Sequence, residues 1–134
     1  MFQRVLIANR GEVACRVAKT CRRLDIEYVV VYTEADVSSP HLEGAVKAIC
    51  IGQGAAAQSY LDGARIIAAA MESACDAIHP GYGFLSENAE FAAEVAAAGL
   101  TFIGPRPETI AELGDKARAK ALLQHAGVPV VPGE

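Results

Sequence analysis

Between Glu27 and Thr33 the chain reads Glu-Tyr-Val-Val-Val-Tyr-Thr, with five consecutive β-branched or aromatic residues and no polar residue among them. A strand that is apolar on both faces needs cover on both. That is the situation of an interior strand in a parallel sheet sandwiched by helices. The neighbouring segments fit the same plan. Arg4–Ala8, Lys47–Ile51, Asp76–His79 and Thr101–Ile103 read as further strands, Lys47–Ile51 closed by Gly52 and the last two stopped by Pro80 and Gly104-Pro105. Between them lie helical stretches. Gly11–Leu24 carries Val13, Ala14, Val17, Ala18, Cys21 and Leu24 at the three-and-four spacing of one buried face. Tyr60–Ser73 and Glu87–Ala98 are alanine-rich helices, and a short helix is expected at His41–Ala45. Pro107–Leu113 and Lys116–His125 complete the series. Strands alternating with helices over short connections predict an α/β fold, a Rossmann-like parallel sheet with helices on both faces. Residues 1–114 are read as that domain. Residues 115–134 are read as a helix and a connection, because Val128-Pro129-Val130-Val131-Pro132-Gly133-Glu134 is extended and points onward to a further domain.

The charge balance limits the partners. Twelve Lys and Arg against sixteen Asp and Glu leave a net charge of −4, without the cationic surplus of a nucleic-acid or anionic-membrane binder. The longest purely apolar run, Ile66–Met71, falls far short of the roughly 20 residues that span a bilayer. Val5–Ala8 is too short for a secretory core, so a cytoplasmic location is expected. Cys15, Cys21, Cys50 and Cys75 show no C-x-x-C pairing and no histidine at ligand spacing, so no metal site is expected. Three of them lie in apolar surroundings and are expected to be buried free thiols. Half of the cations, six of twelve, fall in the first 23 residues. Arg16, Lys19, Arg22 and Arg23 give the first helix a basic face, solvated or docked on a partner.

Three places carry candidate chemistry. The first strand-to-helix turn, Ala8-Asn9-Arg10-Gly11-Glu12, is where a doubly wound sheet would hold a dinucleotide. It has one glycine where that fingerprint needs three, and the Glu12 carboxylate would repel a pyrophosphate. Glu34 and Asp36 mimic a ribose-binding acid by position, but strand-end acids are usually solvated. The second place is His79-Pro80-Gly81-Tyr82-Gly83-Phe84-Leu85-Ser86-Glu87-Asn88, beginning at the carboxyl end of the fourth strand, where such sheets bind ligands. Gly81 and Gly83 permit positive φ and close approach, and Tyr82 between them reads either as facing a cleft or as a surface aromatic of the turn. Ser86 is expected to cap the next helix, with Glu87 and Glu90 loading its first turn. The third is Lys116, at the first helical position behind Asp115, a cation set against the helix dipole unless an anion such as phosphate meets it. His41 and His125 are expected at the surface, and His79 as a satisfied structural histidine.

These residues resemble the N-terminal, pre-ATP-grasp domain of biotin carboxylase over the whole chain and in the same order. The likeness rests on Val5–Glu12, Val31–Asp36, Ile51-Gly52, Gln58–Leu61, His79–Asn88, Phe102–Pro105, Gly114–Lys116 and Ala126–Gly133, the decapeptide around Tyr82 being the most specific. The resemblance implies a ligase that uses ATP, Mg2+ and bicarbonate to form carboxyphosphate and carboxylates the ureido nitrogen of protein-bound biotin. Its partners would be biotin carboxyl carrier and carboxyltransferase domains or subunits, serving an acyl-CoA or pyruvate carboxylase. By resemblance Lys116 contacts ATP phosphates, Tyr82 and Gly83 line the biotin pocket, and Asn9–Glu12 is a structural turn. No catalytic residue and no metal ligand is implied within these 134 residues, so the piece alone is expected to be inactive. Arg23 departs from the family, whose homodimers often use the first helix with a glutamate there; a homodimer of that type then requires changed partner residues. The alternatives are a non-catalytic interaction module or a domain of another ATP-grasp ligase.

Overall fold

The structure is a computed structural model and describes residues 1–53, 59–114 and 127. The expected helix Lys116–His125 and the connection after it, Lys116 included, lie outside the described residues.

The chain runs β1 (Arg4–Ile7), α1 (Gly11–Arg23), β2 (Glu27–Thr33), 3-10 turns at Glu34–Asp36 and Pro40–Leu42, β3 (Lys47–Gly52), α2 (Gly63–Glu72), β4 (Ala77–His79), α3 (Ala89–Ala97), β5 (Thr101–Phe102) and α4 (Pro107–Gly114). The five strands form one parallel sheet in the order β3-β2-β1-β4-β5. β1 lies at its centre, with Val5 opposite Tyr28 on one side and Ala77 on the other. The unbroken run in β2 is explained by alternation between two cores. Val29 and Val31 join Leu6, Ile78, Ile66, Phe91 and Val95 on the α2 and α3 face. Tyr28 and Val30 join Val5, Ile7 and Ala77 under α1, which comes close through Ala14 and Ala18. Leu6, Ile7, Val29, Val30, Val31 and Ile78 have no exposed surface. Burying each such side chain stabilises the fold by about 1.5–3 kcal/mol before the entropy of ordering it is counted.

Helix starts differ from expectation, and capping is the reason. α2 begins at Gly63, because the Asp62 carboxylate accepts from the Arg65 N–H at 3.1 Å. Tyr60 therefore stays in the preceding turn. α3 begins at Ala89, where the side chain of Asn88, not of Ser86, accepts from the Phe91 N–H at 2.9 Å. Ser86 belongs to a turn upstream, its N–H donating to the Gly83 carbonyl. The expected helix at His41–Ala45 shrinks to the 3-10 turn Pro40–Leu42. His41 is a correction too: it is buried, with Nδ1 2.8 Å from Ser39 Oγ and Nε2 3.0 Å from the Val31 carbonyl oxygen. Both ring nitrogens are thus satisfied away from water. Two thiols are buried, Cys21 and Cys75, rather than three; Cys15 is half-buried, and Cys50 is exposed on the edge strand β3. No helix among the described residues is long and apolar enough to cross a membrane.

Candidate functional site

The strand order reverses at β1, so the ligand crevice of this topology lies between the carboxyl ends of β1 and β4. Two loops meet there, Ala8–Arg10 after β1 and Pro80–Phe84 after β4, and the Ala8 N–H donates to the His79 carbonyl at 2.9 Å. Asn9 fills the space between them and is 2% exposed. Its Nδ2 donates to the carbonyl oxygens of Pro80 and Tyr82, both at 2.8 Å, and its Oδ1 accepts from the Arg10 N–H at 2.8 Å. Asn9 thus clamps the first strand-to-helix turn to the β4 turn.

The β4 turn is tight. Gly81, Gly83 and Phe84 all have positive φ, at 68°, 69° and 44°. A Cβ on Gly81 would stand 2.7 Å from Asn9 Nδ2, so backbone and amide are in direct contact there. Gly81 donates its N–H to His79 Nδ1 at 3.0 Å, which places the proton of the neutral ring on Nε2. Burial holds the His79 pKa below the usual 6.5, in keeping with that acceptor role. One nitrogen of the His79 ring is thus held by the turn, in keeping with the structural histidine expected there.

The far end of the turn is held by a second group. The Phe84 ring stacks on Tyr60, centroids 5.0 Å apart, and Leu85 enters the core. Tyr60 donates its hydroxyl to Asp36 Oδ2 at 3.3 Å; Thr33 Oγ1 donates to the same oxygen at 3.3 Å, and Arg10 pairs with Oδ1 at 2.5 Å. The hydrogen bond from Arg10 is the main reason that the Asp36 carboxyl sits below its ordinary range, against the opposing effect of burial. Burial first, and then the neighbouring carboxylate, push the Tyr60 phenol well above its ordinary value. Asp36, expected to be solvated, is instead the hub of this cluster with a side chain 11% exposed; Glu34 is exposed.

Tyr82 projects from the turn and is 67% exposed. It lines an apolar groove of about 550 Å³ with Val13, Val17, Leu24 and Ile103. Its hydroxyl has no hydrogen bond among the described residues, and neither has the Gly83 N–H. The arrangement suits the holding of a ligand: one exposed aromatic ring and free hydrogen-bonding groups on a rigid turn. Among the described residues no group of three or more His, Cys, Asp or Glu could hold a metal ion. Tyr82 and Gly83 stand together on this turn, while Lys116 lies outside the described residues. Asn9, Tyr60 and Phe84 were not expected to contribute. A small polar residue in place of the first fingerprint glycine was the available signal for Asn9.

The family model for the biotin carboxylase N-terminal domain matches residues 1–110. Biotin carboxylase of Halalkalibacterium halodurans is 52% identical over 133 residues, 99% of this chain and 29% of that protein. The mitochondrial methylcrotonoyl-CoA carboxylase subunit alpha of Glycine max is 53% identical over 132 residues, 98% of this chain and 18% of that one. The biotin carboxylase domain dimer of the Hydrogenobacter thermophilus 2-oxoglutarate carboxylase, solved with MgADP, ADP and bicarbonate, superposes with a TM-score of 0.94 at 47% identity. That match covers 100% of this chain and 29% of the other. The chain thus spans less than a third of the length of these relatives. The five-stranded sheet, the glycine-flanked Tyr82 and agreement along the sequence lead to one assignment: the chain belongs to the biotin carboxylase N-terminal domain family.

Proposed function

We propose that this chain is the N-terminal part of a biotin carboxylase, in which ATP and bicarbonate drive carboxylation of the ureido nitrogen of protein-bound biotin. The observation that carries the reading is the turn after β4, where Tyr82 is exposed and the Gly83 N–H has no partner among the described residues, at the carboxyl end of the sheet. A flat, polar ureido ring needs an apolar surface to lie against and hydrogen-bonding groups to orient it, and this turn offers both. Tyr82 and Gly83 would hold biotin when it is delivered. In this reading ATP and Mg2+ are held elsewhere, Arg10 being paired with Asp36. Contact with ATP phosphates is assigned to Lys116, in a second segment, 115–134, that leads from the domain of residues 1–114. The partners of the reading are a biotin carboxyl carrier and a carboxyltransferase, in an acyl-CoA or pyruvate carboxylase. A homodimer through α1 would have to accommodate the basic Arg23. Free thiols at Cys15, Cys21, Cys50 and Cys75 suit a reducing cytoplasm.

The test is reconstitution. The carboxylase carrying this chain at its N-terminus should carboxylate biotin with ATP and bicarbonate, and the Tyr82→Ala variant should lose tenfold or more in kcat/KM for biotin. The 134 residues alone should cleave no ATP in response to bicarbonate. A carboxylase whose biotin kinetics ignore Tyr82 would overturn the site, and bicarbonate-dependent ATP cleavage by the chain alone would overturn its partial role.

A further inference from the structure

Peptide geometry links Asn9 to the part of the turn that faces solvent. The peptide bonds of this region are trans, so the C=O of one residue and the N–H of the next point in opposite directions. The Asn9 amide draws two carbonyls, of Pro80 and of Tyr82, onto one nitrogen at 2.8 Å each. The N–H groups of Gly81 and Gly83 must then point away from Asn9. The Gly81 N–H meets His79 Nδ1 at 3.0 Å and is satisfied. The Gly83 N–H meets nothing among the described residues, beside an aromatic ring that is 67% exposed.

We infer that Asn9 is a positioning residue for the biotin-facing turn: by holding the Tyr82 carbonyl inward, its amide turns the Gly83 N–H outward as a fixed donor for the ligand. The inference rests on the proposed biotin pocket and adds to it the residue that presets the pocket from 73 positions away in sequence. A buried amide with both donors used on one turn and its oxygen on the Arg10 N–H has no donor to spare for a ligand of its own. Without it, two carbonyls lose their donor, and the peptide between Tyr82 and Gly83 is free to rotate. The donor would then be ordered only when ligand arrives, which weakens binding.

Shape and hydrogen bonding separate in two variants. Asn9→Asp keeps the volume and loses both donors, setting a carboxylate against two carbonyl oxygens. Asn9→Ala loses volume and donors together. In the complete carboxylase, each variant should raise KM for free biotin by tenfold or more relative to the change in KM for ATP, with Asn9→Asp at least as severe as Asn9→Ala. A packing role predicts the reverse order. Equal changes in both KM values, or a mild Asn9→Asp beside a severe Asn9→Ala, would overturn the inference. Should Asn9→Asp fail to fold, Asn9→Ser, which keeps one donor, takes its place and should fall between wild type and Asn9→Ala. Wild-type enzyme that carboxylates no biotin would instead refute the proposed function, so the two failures are distinguishable.

Discussion

Gly81 and Gly83 are a matched pair: both have left-handed backbone, at φ 68° and 69°, and they differ in the space around them. A Cβ on Gly83 meets nothing within 4 Å, whereas one on Gly81 meets Asn9 Nδ2 at 2.7 Å and Asn9 Cβ and Cγ at 3.1 Å. Gly83→Ala therefore carries only the conformational strain, about 1–2 kcal/mol. The smaller entropy of the unfolded alanine chain returns about 0.4–1 kcal/mol of that. The expected net loss is about 0.5–1 kcal/mol. Gly81→Ala has the same strain and must also displace the Asn9 amide. Two hydrogen bonds of about 1 kcal/mol each are then broken, with buried carbonyls left short of a donor. The expected loss is about 3 kcal/mol, so the two variants should differ by about 2 kcal/mol, a factor of roughly thirty in the unfolding equilibrium.

Urea denaturation of the two variants reads this difference directly, provided that the m-values match. In an Asn9→Ala background the amide is gone and only the contact with the residue 9 Cβ, at 3.1 Å, remains, so Gly81→Ala should fall most of the way toward the cost of Gly83→Ala; the coupling in that cycle is the amide contact. Equal losses for the two alanine variants, or a Gly81→Ala cost unchanged by Asn9→Ala, would refute the claim that the amide and the turn are in tight contact.

Further outcomes follow from the same structure. Asn88→Ala should destabilise the domain by about 0.5–2 kcal/mol through loss of the α3 cap, while Ser86→Ala should change its urea midpoint little. In the native state Cys50 should react first with iodoacetamide and Cys21 and Cys75 last, as followed by peptide mass spectrometry; burial also pushes the Cys75 thiol up to about 11, away from its reactive thiolate form. Because burial depresses the His79 pKa, the unfolded chain takes up that proton first as pH falls, so its contribution is full above about pH 6.5 and is lost on acidification through the lower folded value. Urea midpoints between pH 7.5 and 5 should fall accordingly, and His79→Gln should flatten the slope.

The strands and the helix faces were legible in the sequence because they are written in periodicity. Five apolar residues in a row at Tyr28–Tyr32 demanded two covered faces, and the spacing of Ala14, Ala18 and Cys21 supplied one of the covers. Helix starts were less legible, because Ser86 and Asn88 are both competent caps, and the turns made by Ser86 N–H and Asn88 N–H choose between them. Tyr82 and Gly83 stood out because an aromatic residue between two glycines has no core-facing explanation. Asn9, Asp36 and Tyr60 could not be read in the same way. The bonds of Asn9 to Pro80 and Tyr82 span 71 and 73 residues, and Tyr60 meets Asp36 across 24. The Asn9 bonds arise only once β1 and β4 are neighbours, and a polar residue at a strand end looks the same in sequence whether it is solvated or clamped.

A topology of this kind ordinarily leaves the crevice beside its central strand open, because glycines there let backbone N–H groups approach a phosphate. Here the same crevice is filled by a side chain. Asn9 occupies the place of bare backbone, and Arg10, the cation nearest to it, is bound to Asp36. Free binding capacity consequently moves outward, onto the solvent side of the β4 turn, where it consists of an aromatic ring, an N–H without a partner among the described residues and an apolar groove. No charged side chain belongs to the segment Pro80–Ser86. A neutral, flat, hydrogen-bonding ligand matches that surface, and a di- or triphosphate does not. On the proposed reading the turn takes biotin, and a nucleotide would be held by residues outside Pro80–Ser86.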